Sequence, residues 1–416
     1  MAEPTFLPVL LGSDINAYGM ARSFHEEYGV SSVALASFHL APTRYSRIVE
    51  VEVHADLGDP EAFLAIVLAK GRELAGSYDK LVLVPCGDSY AELVSRFQKE
   101  LSEFFIVATP AHELLEKLVN KAHFYELCAQ HGIAHPATRI ITAKDAADIH
   151  NFQIPFTFPV ALKPSDSVSY LDVEFEGRKK AYILDSAEEV RSIVQSIYSH
   201  GYTDTLVLQE YIPGDDSHMR VLNAYVDGQS QVRMMCLGNP LLEDHSPDLV
   251  GNYTVIRSSS NQAVYDEIRT FLQGIGYVGF ANFDMKYDSR DQQYKLFELN
   301  PRQGRSSFFV TLAGYNLARY LVEDRVFGRP GELVLGDKES LWLQIPKRIF
   351  FRYIQSTSEK RRAQQLIREG KWGTTLRYSK DMNFMRSLIL LRMDMRYFQS
   401  YRRYFTARTE TTEGGQ

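Results

Sequence analysis

The stretch KLFELNPRQGRSS, residues 295–307, places a carboxylate and an amide two residues apart at the end of an apolar strand pattern. Because side chains of a β-strand alternate between two faces, Glu298 and Asn300 point the same way. Carboxylate and amide oxygens are ligands of Mg²⁺, and the guanidinium of Arg302, just beyond them, suits phosphate or carboxylate. A single E-x-N is more often a strand edge followed by a turn, so the rest of the chain must decide between the two interpretations.

The composition is that of a folded protein with several structural units. The chain has 416 residues, of which 45% are hydrophobic and 24% charged, and this length predicts about two to four units. No apolar run is long enough to cross a bilayer, and the N-terminal stretch lacks the basic region of a signal peptide. The three widely spaced cysteines indicate buried thiols in a reducing compartment, so we expect a cytoplasmic protein.

Charge is distributed unevenly along the chain. The net charge is −6, but residues 341–416 carry 16 basic and 6 acidic residues, whereas residues 1–340 carry 30 and 46. Within the basic segment, Arg and Lys alternate with Phe, Tyr, Leu and Met. We favour packing of this segment onto the acidic body, with peripheral contact to an anionic membrane as the second interpretation. Nucleic-acid binding is the least favoured, because no recognisable motif is present.

The alternation of apolar runs and turn residues predicts an α/β and α+β multidomain protein. We predict a parallel α/β domain over 1–110, a helix followed by a central lobe of short strands and one further helix over 111–205, a mainly antiparallel lobe over 206–340 and a basic extension over 341–416. The polar terminus TARTETTEGGQ is predicted to be disordered.

Several helices follow from apolar spacing and from start and stop signals. One is predicted to contain Ala122, Tyr125 and Ala129, with Leu118 just before it and Gly132 closing it. The others are predicted over 60–75, 89–103, 187–199, 263–274 and 307–323, and a first helix is predicted to end at Gly29.

A second acid lies on the predicted strand before the opening stretch, at Asp284 in GFANFDMKYD. A hairpin would place Asp284 beside Glu298. An unpaired acid on an otherwise buried strand is costly, and a metal ion removes that cost. Asp284, Glu298 and Asn300 are therefore the predicted ligands of one or two Mg²⁺ ions, with Mn²⁺ as the alternative ion.

Nucleotide binding is indicated by a set of individually weak features. Lys163 ends an apolar strand and suits phosphate, although such a lysine extends along the surface about half the time. Lys121, at a helix start, is a second phosphate candidate. The loop SDSVSY (165–170) could cover phosphates with its N–H groups. The strand-to-turn segment LVLQEYIPGDD (206–216) predicts an adenine and ribose site at Glu210, Tyr211, Ile212 and Asp215.

The order of these features resembles the ATP-grasp superfamily of carboxylate–amine ligases. The resemblance rests on NKAHFYELCAQHGIAHPAT, ALKPSDS, LQEYIPG, FANFDMK and FELNPRQG, in that order. It covers about residues 110–320, and 1–110 matches the α/β domain that usually precedes the ATP-grasp lobes. The opening FLPVLLGSDINAYGMARSFHEEYG and the basic tail are most similar to the D-aspartate ligases of Gram-positive bacteria.

This resemblance implies roles for single residues. It assigns Lys121 and Lys163 to ATP phosphates, Glu210 and its neighbours to adenine, and Arg302 to the acyl-phosphate or its tetrahedral successor. The loop SDSVSYLD lacks the glycines of many relatives, and its implied phosphate contacts are Ser165 and Ser167.

The resemblance further implies two steps, phosphorylation of a carboxylate by Mg·ATP and attack of an amine on the acyl-phosphate. The favoured reaction adds D-aspartate to the lysine side-chain amine of a peptidoglycan precursor, at the inner face of the membrane. Each arginine among the substrate candidates has a surface ion pair as its alternative. The candidates are Ser13, Asp14, Arg220, Arg257, Arg305 and Ser306.

Two other functions remain open from the sequence. One is an ATP-grasp ligase for another amino acid or a dipeptide, and the other is a nucleotide-binding regulatory or scaffold protein without catalysis. The complete set of candidate metal and phosphate residues argues against the second.

Overall fold

A computed structural model of the chain describes residues 3–166, 169–214, 216–246, 249 and 251–405. The chain divides into two compact units. The first comprises the chain up to His112, Met219–Asn282 and the chain from Asn300 onward, and the second comprises Glu113–His218 and Phe283–Leu299. The division into four parts is finer than this and stays a prediction. The terminus TARTETTEGGQ (406–416) lies outside the described residues.

The N-terminal segment forms the predicted parallel sheet, with helices between its strands. Asp14 starts the first helix by accepting the N–H groups of Asn16 and Ala17, and the helix ends at Gly29 with φ 69°. The elements are β1 (Phe6–Leu11), α1 (Ile15–Tyr28), β2 (Ser32–Ala36), β3 (Val49–Val53), α2 (Pro60–Leu74), β4 (Lys80–Pro85), α3 (Asp88–Arg96), α4 (Gln98–Leu101) and β5 (Phe105–Val107). The strand order is β3-β2-β1-β4-β5, and β3 and β5 were not predicted.

The second unit is built on a four-stranded antiparallel sheet of order β6-β9-β7-β8. Its elements are α5 (His112–Val119), α6 (Lys121–Gln130), β6 (Thr138–Ile141), α7 (Ala143–Ala147), β7 (Val160–Pro164), β8 (Tyr182–Leu184), α8 (Ala187–Ser199) and β9 (Leu206–Glu210). Helix α8 has the predicted bounds. It begins at the Ser186 cap and buries Val190, Val194 and Ile197, because this spacing puts all three on one face.

A larger, mainly antiparallel sheet follows, with helices after its strands. The elements are β10 (Met219–Val226), β11 (Val232–Glu243), β12 (Tyr253–Ser259), α9 (Gln262–Gly274), β13 (Gly279–Asp288), β14 (Gln293–Asn300), α10 (Phe308–Leu312), α11 (Leu317–Leu321) and β15 (Val334–Leu335). Strands β13 and β14 are neighbours and form the predicted hairpin.

The basic segment from 341 is folded, and its strands extend this sheet. The elements are β16 (Leu341–Leu343), α12 (Lys347–Tyr353), α13 (Thr357–Arg368), β17 (Trp372–Gly373) and α14 (Phe384–Ser400). The sheet has the order β14-β13-β10-β11-β12-β16-β17, with β15 beside β11. Ile349, Phe350 and Leu366 of the basic segment are buried in one core with Val255 of β12. Part of the segment is therefore buried, as its favoured interpretation required.

Two helix predictions were wrong. The helix predicted over 307–323 is broken at Gly314, whose φ is 94°, and it restarts as α11 with Asn316 as its cap. The helix predicted over 89–103 is divided at Phe97 into α3 and α4, because the backbone at Phe97, with φ −103° and ψ 22°, leaves helical geometry. In both places the helix is interrupted although the apolar spacing continues.

The start of β13 offers a test of backbone packing. Gly279 has φ 94°, and a Cβ there would overlap the carbonyl oxygen of Ala108. We expect Gly279→Ala to lower the free energy of unfolding by about 2–4 kcal/mol, because strain and overlap add. Gly276→Ala is the control, since φ is 68° and a Cβ meets nothing within 4 Å, and it should cost about 1 kcal/mol. Urea unfolding measures both, and equal losses would contradict this account.

Candidate active site

Lys163 is the centre of the polar groups in the second unit. It lies on β7, paired with Val207 of β9, and its Nζ donates to the Tyr125 hydroxyl at 2.9 Å. That hydroxyl donates to the carbonyl oxygen of Phe297 at 2.7 Å. Burial lowers the pKa of Lys163 to about 8, although the Glu298 carboxylate raises it. The strand lysine is thus an internal cation beside the candidate metal ligand Glu298.

Tyr125 is a site residue that sequence reasoning missed. It was interpreted only as an apolar position of a helix, and its ring is buried. The ring lies 5.3 Å from the Lys163 Nζ, and the Phe297 ring lies 5.8 Å from the same atom. Helical spacing identifies the buried face of α6, but it carries no information about what the hydroxyl meets across the unit.

The candidate metal ligands lie on the β13–β14 hairpin. Asp284 is on β13, and Glu298 and Asn300 are two residues apart on β14; all three side chains are partly exposed. The Asn300 Nδ2 is 3.5 Å from the Asn282 carbonyl oxygen, so the amide donates on that side, and its oxygen accepts from the Arg302 Nη2 at 3.4 Å. Two carboxylates and one amide oxygen are hard donors that fit Mg²⁺, whose other ligands are usually phosphate and water.

A cluster of three or more ionisable side chains is another arrangement that could bind a metal ion. Within the described ranges, no group of three or more His, Cys, Asp and Glu side chains could hold a metal ion. The candidate set contains two carboxylates and one amide, so it is not a cluster of that kind. Its role as a metal site stays a prediction.

The candidate phosphate residues begin beside Lys163. The N–H of Lys121, the first residue of α6, donates to the Ser165 carbonyl oxygen at 3.3 Å. The start of α6 and the end of β7 are therefore joined. Ser165 is fully buried, and its hydroxyl is 2.7 Å from that of Thr205, so a phosphate contact through this hydroxyl requires a change of partner. Ser167 lies outside the described residues.

The candidate adenine segment is held by charged groups of the same unit. The Glu210 carboxylate accepts from Ala137 N–H at 2.9 Å and from the Lys295 Nζ at 3.0 Å. Burial raises the pKa of Glu210, but these donors lower it by more, and the net shift is downward. Its side chain is thus structural here, and an adenine contact is left to backbone groups of the segment.

Lys286 holds the next residues of this segment. Its Nζ donates to the carbonyl oxygens of Ile212 at 2.9 Å and Gly214 at 2.6 Å, and it lies 5.3 Å from the centre of the Tyr211 ring. Asp215, the predicted ribose ligand, lies outside the described residues. The turn is therefore fixed in place by a buried lysine that the sequence did not single out.

In the first unit, two candidate arginines face carboxylates. The Arg302 Nη2 is 2.7 Å from the Asp88 Oδ2, and the Arg305 Nε is 3.7 Å from the Asp14 Oδ2. Burial raises the pKa of Asp14, while Arg305 and two N–H groups lower it, and the net shift is upward. The predicted polar turn and the residues after β14 are thus brought together.

The neighbouring residues of this cluster are mostly held by backbone groups. The Asn16 Nδ2 donates to the carbonyl oxygens of Cys86 and Gln303, at 3.1 and 2.9 Å. Ser13 is buried, and its hydroxyl donates to the Phe38 carbonyl and accepts the Leu40 N–H. Asn16 and Gln303 were not predicted, because neither carries a charge and their partners are backbone groups of residues distant in sequence.

Ser306 and Arg220 have less direct links to the cluster. Ser306 is buried before α10, and its carbonyl accepts from Phe309 N–H at 3.1 Å. The Arg220 Nη1 donates to the Met219 carbonyl and to the Asn239 Oδ1, at 2.6 and 2.8 Å. Roles of Ser306 and Arg220 in substrate binding stay predictions.

Arg257 belongs to an ion-pair network with the basic segment. Its Nε and Nη2 donate to the two carboxylate oxygens of Glu359 at 2.8 and 2.7 Å, and its Nη1 meets Glu339 at 2.7 Å. The Asn239 Nδ2 is 3.3 Å from Glu359. The ion pair that was the alternative for Arg257 is present, so a substrate carboxylate would have to displace an internal one.

One known protein is similar to this chain over nearly its whole length. The D-aspartate ligase of Enterococcus faecium (strain Aus0004) is 51% identical over 407 residues, which cover 96% of this chain and 97% of that protein. No protein-family model matches the chain.

Solved structures with low identity share the fold. An L-amino acid ligase from Bacillus licheniformis has a TM-score of 0.57 at 14% identity, covering 80% of this chain and 76% of that one. An N5-carboxyaminoimidazole synthetase from Staphylococcus aureus, complexed with ADP, has a TM-score of 0.57 at 14% identity, covering 83% and 82%. The biotin carboxylase domain of Hydrogenobacter thermophilus 2-oxoglutarate carboxylase, with MgADP, reaches 0.59 at 14%, covering 82% and 74%. The predicted ATP-grasp fold is confirmed.

The charge coupling between Lys163 and Glu298 predicts a titration. The Lys163 ammonium should lose its proton near pH 8 in the free protein, and Glu298→Gln should move that midpoint lower, because the carboxylate stabilises the charged form. NMR of ¹³C-dimethylated lysines measures the midpoint, with Lys163→Arg assigning the signal. Glu369→Gln, which removes an exposed carboxylate of the first unit, should leave it unchanged. An unchanged or higher midpoint in Glu298→Gln would contradict the coupling.

The Arg257 network predicts a stability effect. Glu359→Gln should lower the free energy of unfolding by about 1–3 kcal/mol, because a partly buried guanidinium loses its paired carboxylate. Glu369→Gln at the end of the same helix should change it little, because that carboxylate is exposed. Urea denaturation compares the two, and equal effects would show that the network adds no stability.

Proposed function

Because the chain belongs to the D-aspartate ligase family, we propose that it joins D-aspartate to an amine with consumption of ATP. The 51% identity over 96% of the chain carries this proposal. It is an ATP-dependent ligase of the ATP-grasp fold. In the proposed reaction, an oxygen of the D-aspartate carboxylate attacks the γ-phosphorus of ATP, and ADP leaves. The acceptor nitrogen then attacks the acyl carbon, the bond to phosphate breaks, and the nitrogen loses a proton.

We propose that a divalent metal ion and Lys163 bind the phosphates. Mg²⁺, or Mn²⁺ as the alternative, would neutralise phosphate charge, with Asp284, Glu298 and Asn300 as its protein ligands. Lys163 is held by Tyr125 at 2.9 Å, so its ammonium is already positioned before a phosphate arrives. Its pKa of about 8 in the free protein would rise beside a phosphate anion, which keeps the lysine charged in the complex. Preorganised charge of this kind is the main contribution of a protein to phosphoryl transfer.

We propose the remaining nucleotide contacts from the order of the site segments along the chain, which resembles that of ATP-grasp ligases. Lys121 would meet a phosphate from the start of α6, which is joined to Ser165 at the end of β7. Backbone groups of Glu210, Tyr211 and Ile212 would meet adenine. Contacts of Ser165, Ser167 and Asp215 with phosphate or ribose remain part of the proposal on the strength of the resemblance.

We propose that the first unit binds the amino acid. D-Aspartate has two carboxylates, and Arg302 and Arg305 each already face one carboxylate, of Asp88 and Asp14. A substrate carboxylate that replaces such a partner keeps the arginine paired, which limits the desolvation cost of binding. Arg302 would then stabilise the oxyanion that forms when the amine attacks.

The proposed acceptor is the lysine side-chain amine of a peptidoglycan precursor. The favoured location is the cytoplasm, at the inner face of the membrane where such precursors are made. Support for the acceptor comes from the resemblance to the D-aspartate ligases.

The proposal is tested by ADP formation with Mg·ATP and a panel of amino acids, each with and without a lysine-containing UDP-linked pentapeptide. D-Aspartate with the pentapeptide should give turnover and an amide product detectable by mass spectrometry. Glu298→Gln should lower kcat by roughly 100-fold or more, because a ligand at the phosphates is lost.

Glu369→Gln is the matched control and should keep full activity. Turnover with another amino acid or amine would reject the assigned substrates and keep the ligase chemistry. ATP binding without turnover under any condition would favour a regulatory protein.

A further inference from the structure

The last helix, α14, has two unlike sides. One side packs inward, where Arg386 and Leu390 are buried and Leu390 belongs to the main core of the first unit. The other side exposes large apolar residues with 45–75% of their surface accessible. We call these residues the apolar stripe: Phe384, Leu388, Leu391, Met395 and Phe398.

The spacing makes the apolar stripe one continuous face. Its members follow one another at alternating intervals of four and three residues, so they line the same side of the helix. The helix has 17 residues and is therefore about 25 Å long. The apolar stripe runs along most of this length. Such a continuous apolar surface is larger than the scattered apolar residues that monomeric proteins normally expose.

Positive charge accompanies the apolar stripe. Arg392 and Arg396 are exposed four residues apart along one flank, and Arg402 and Arg403 are exposed just beyond the helix. The single acid of the helix, Asp394, is paired with Arg377. The exposed surface is therefore apolar and cationic, although the whole chain has a net charge of −6.

A loop from the N-terminal segment adjoins the first turn of α14. Arg386 donates to the carbonyl oxygens of Pro42 and Arg44, at 2.9 and 3.2 Å, and its Nε is 3.3 Å from Asp381. Asp381 also accepts from the Ser46 hydroxyl at 2.9 Å. Buried charge thus fixes the loop against the helix.

This loop repeats the chemistry of the helix. Phe38, Leu40 and Tyr45 expose 71%, 45% and 50% of their surfaces, and Arg44 and Arg47 are exposed between or beside them. Two segments far apart in sequence therefore both present aromatic or aliphatic groups together with arginines. A single helix could have this composition by chance, whereas agreement between two separate segments is less easily accidental.

We propose that the apolar stripe and its arginines dock on an anionic lipid bilayer. An interfacial helix needs an apolar face in the acyl boundary and cations at the headgroups, and α14 provides both. Among the described residues no helix is long and apolar enough to span a membrane, so α14 would lie in the interface. A second copy of the chain is the weaker occupant, because it would bring two arginine-rich faces together.

The same loop reaches the turn that we propose for substrate binding. Ser13 meets Phe38 and Leu40 through its hydroxyl, and its carbonyl accepts from the Thr43 hydroxyl at 2.8 Å. The loop thus joins the lipid-facing surface to that turn. Docking itself does not depend on the ligase reaction, so vesicle binding and ADP formation test separate statements.

The test is co-sedimentation of the full chain with lipid vesicles. Vesicles in which phosphatidylglycerol replaces part of the phosphatidylcholine should bind the protein at low salt, pure phosphatidylcholine vesicles should bind it weakly, and added salt should release it. Leu388→Gln/Leu391→Gln should abolish binding. Arg392→Gln/Arg396→Gln should weaken it roughly 25-fold, at about five-fold for each arginine.

Matched control variants distinguish binding through this surface from non-specific adsorption to vesicles. Arg361→Gln/Arg368→Gln removes two exposed arginines of α13, and Ile183→Gln removes an apolar side chain that is 54% exposed, as Leu391 is. Both should bind vesicles like the parent protein, and an unchanged circular dichroism spectrum and urea unfolding midpoint show that the variants are folded.

Three outcomes would overturn the proposal. They are no binding to anionic vesicles, binding that the stripe variants do not change, and a lipid-free dimer in sedimentation velocity that Leu388→Gln/Leu391→Gln dissociates. The last result would assign the stripe to a second copy of the chain.

Discussion

The partly buried ammonium group of Lys163 is held by contacts from several elements of the second unit. A cation removed from water is costly unless polar and charged groups replace its hydration. Here the Tyr125 hydroxyl accepts from it at 2.9 Å, and two aromatic rings and the Glu298 carboxylate lie near it. These partners come from α6 and β14, so the contacts of the lysine on β7 connect three elements. The same preorganisation makes it suited to phosphate, because little rearrangement is needed on binding.

The basic segment after residue 340 uses its arginines in two ways. Arg386 is buried against Asp381 and the carbonyls of the 42–44 loop, and Glu359 of α13 holds Arg257 of β12. These pairs join the segment to the sheet and to the N-terminal segment within the first unit. Arg392 and Arg396 face outward instead. A single excess of positive charge therefore serves both internal packing and an exposed surface.

Local signals predicted several helices and the β13–β14 hairpin. Helix α8 was predicted with its observed bounds, because a serine cap and three apolar residues on one face act within the helix itself. The β13–β14 hairpin followed from two apolar strands in succession. The prediction over 307–323 failed at Gly314, where a left-handed residue ends one helix and a new cap begins another. Apolar spacing alone does not contain such breaks.

The sequence by itself determined the fold class, the order of the site segments and the residue types that phosphate and metal require, because these depend on periodicity, caps and motifs of near neighbours. Only the tertiary structure decided which partners the charged side chains have. Tyr125 reaches Lys163, Glu359 takes Arg257, and Asp88 takes Arg302. The physical reason is that the energy of an ion pair or hydrogen bond depends on distances of a few ångströms between residues far apart in the chain, and these distances exist only after the elements have packed.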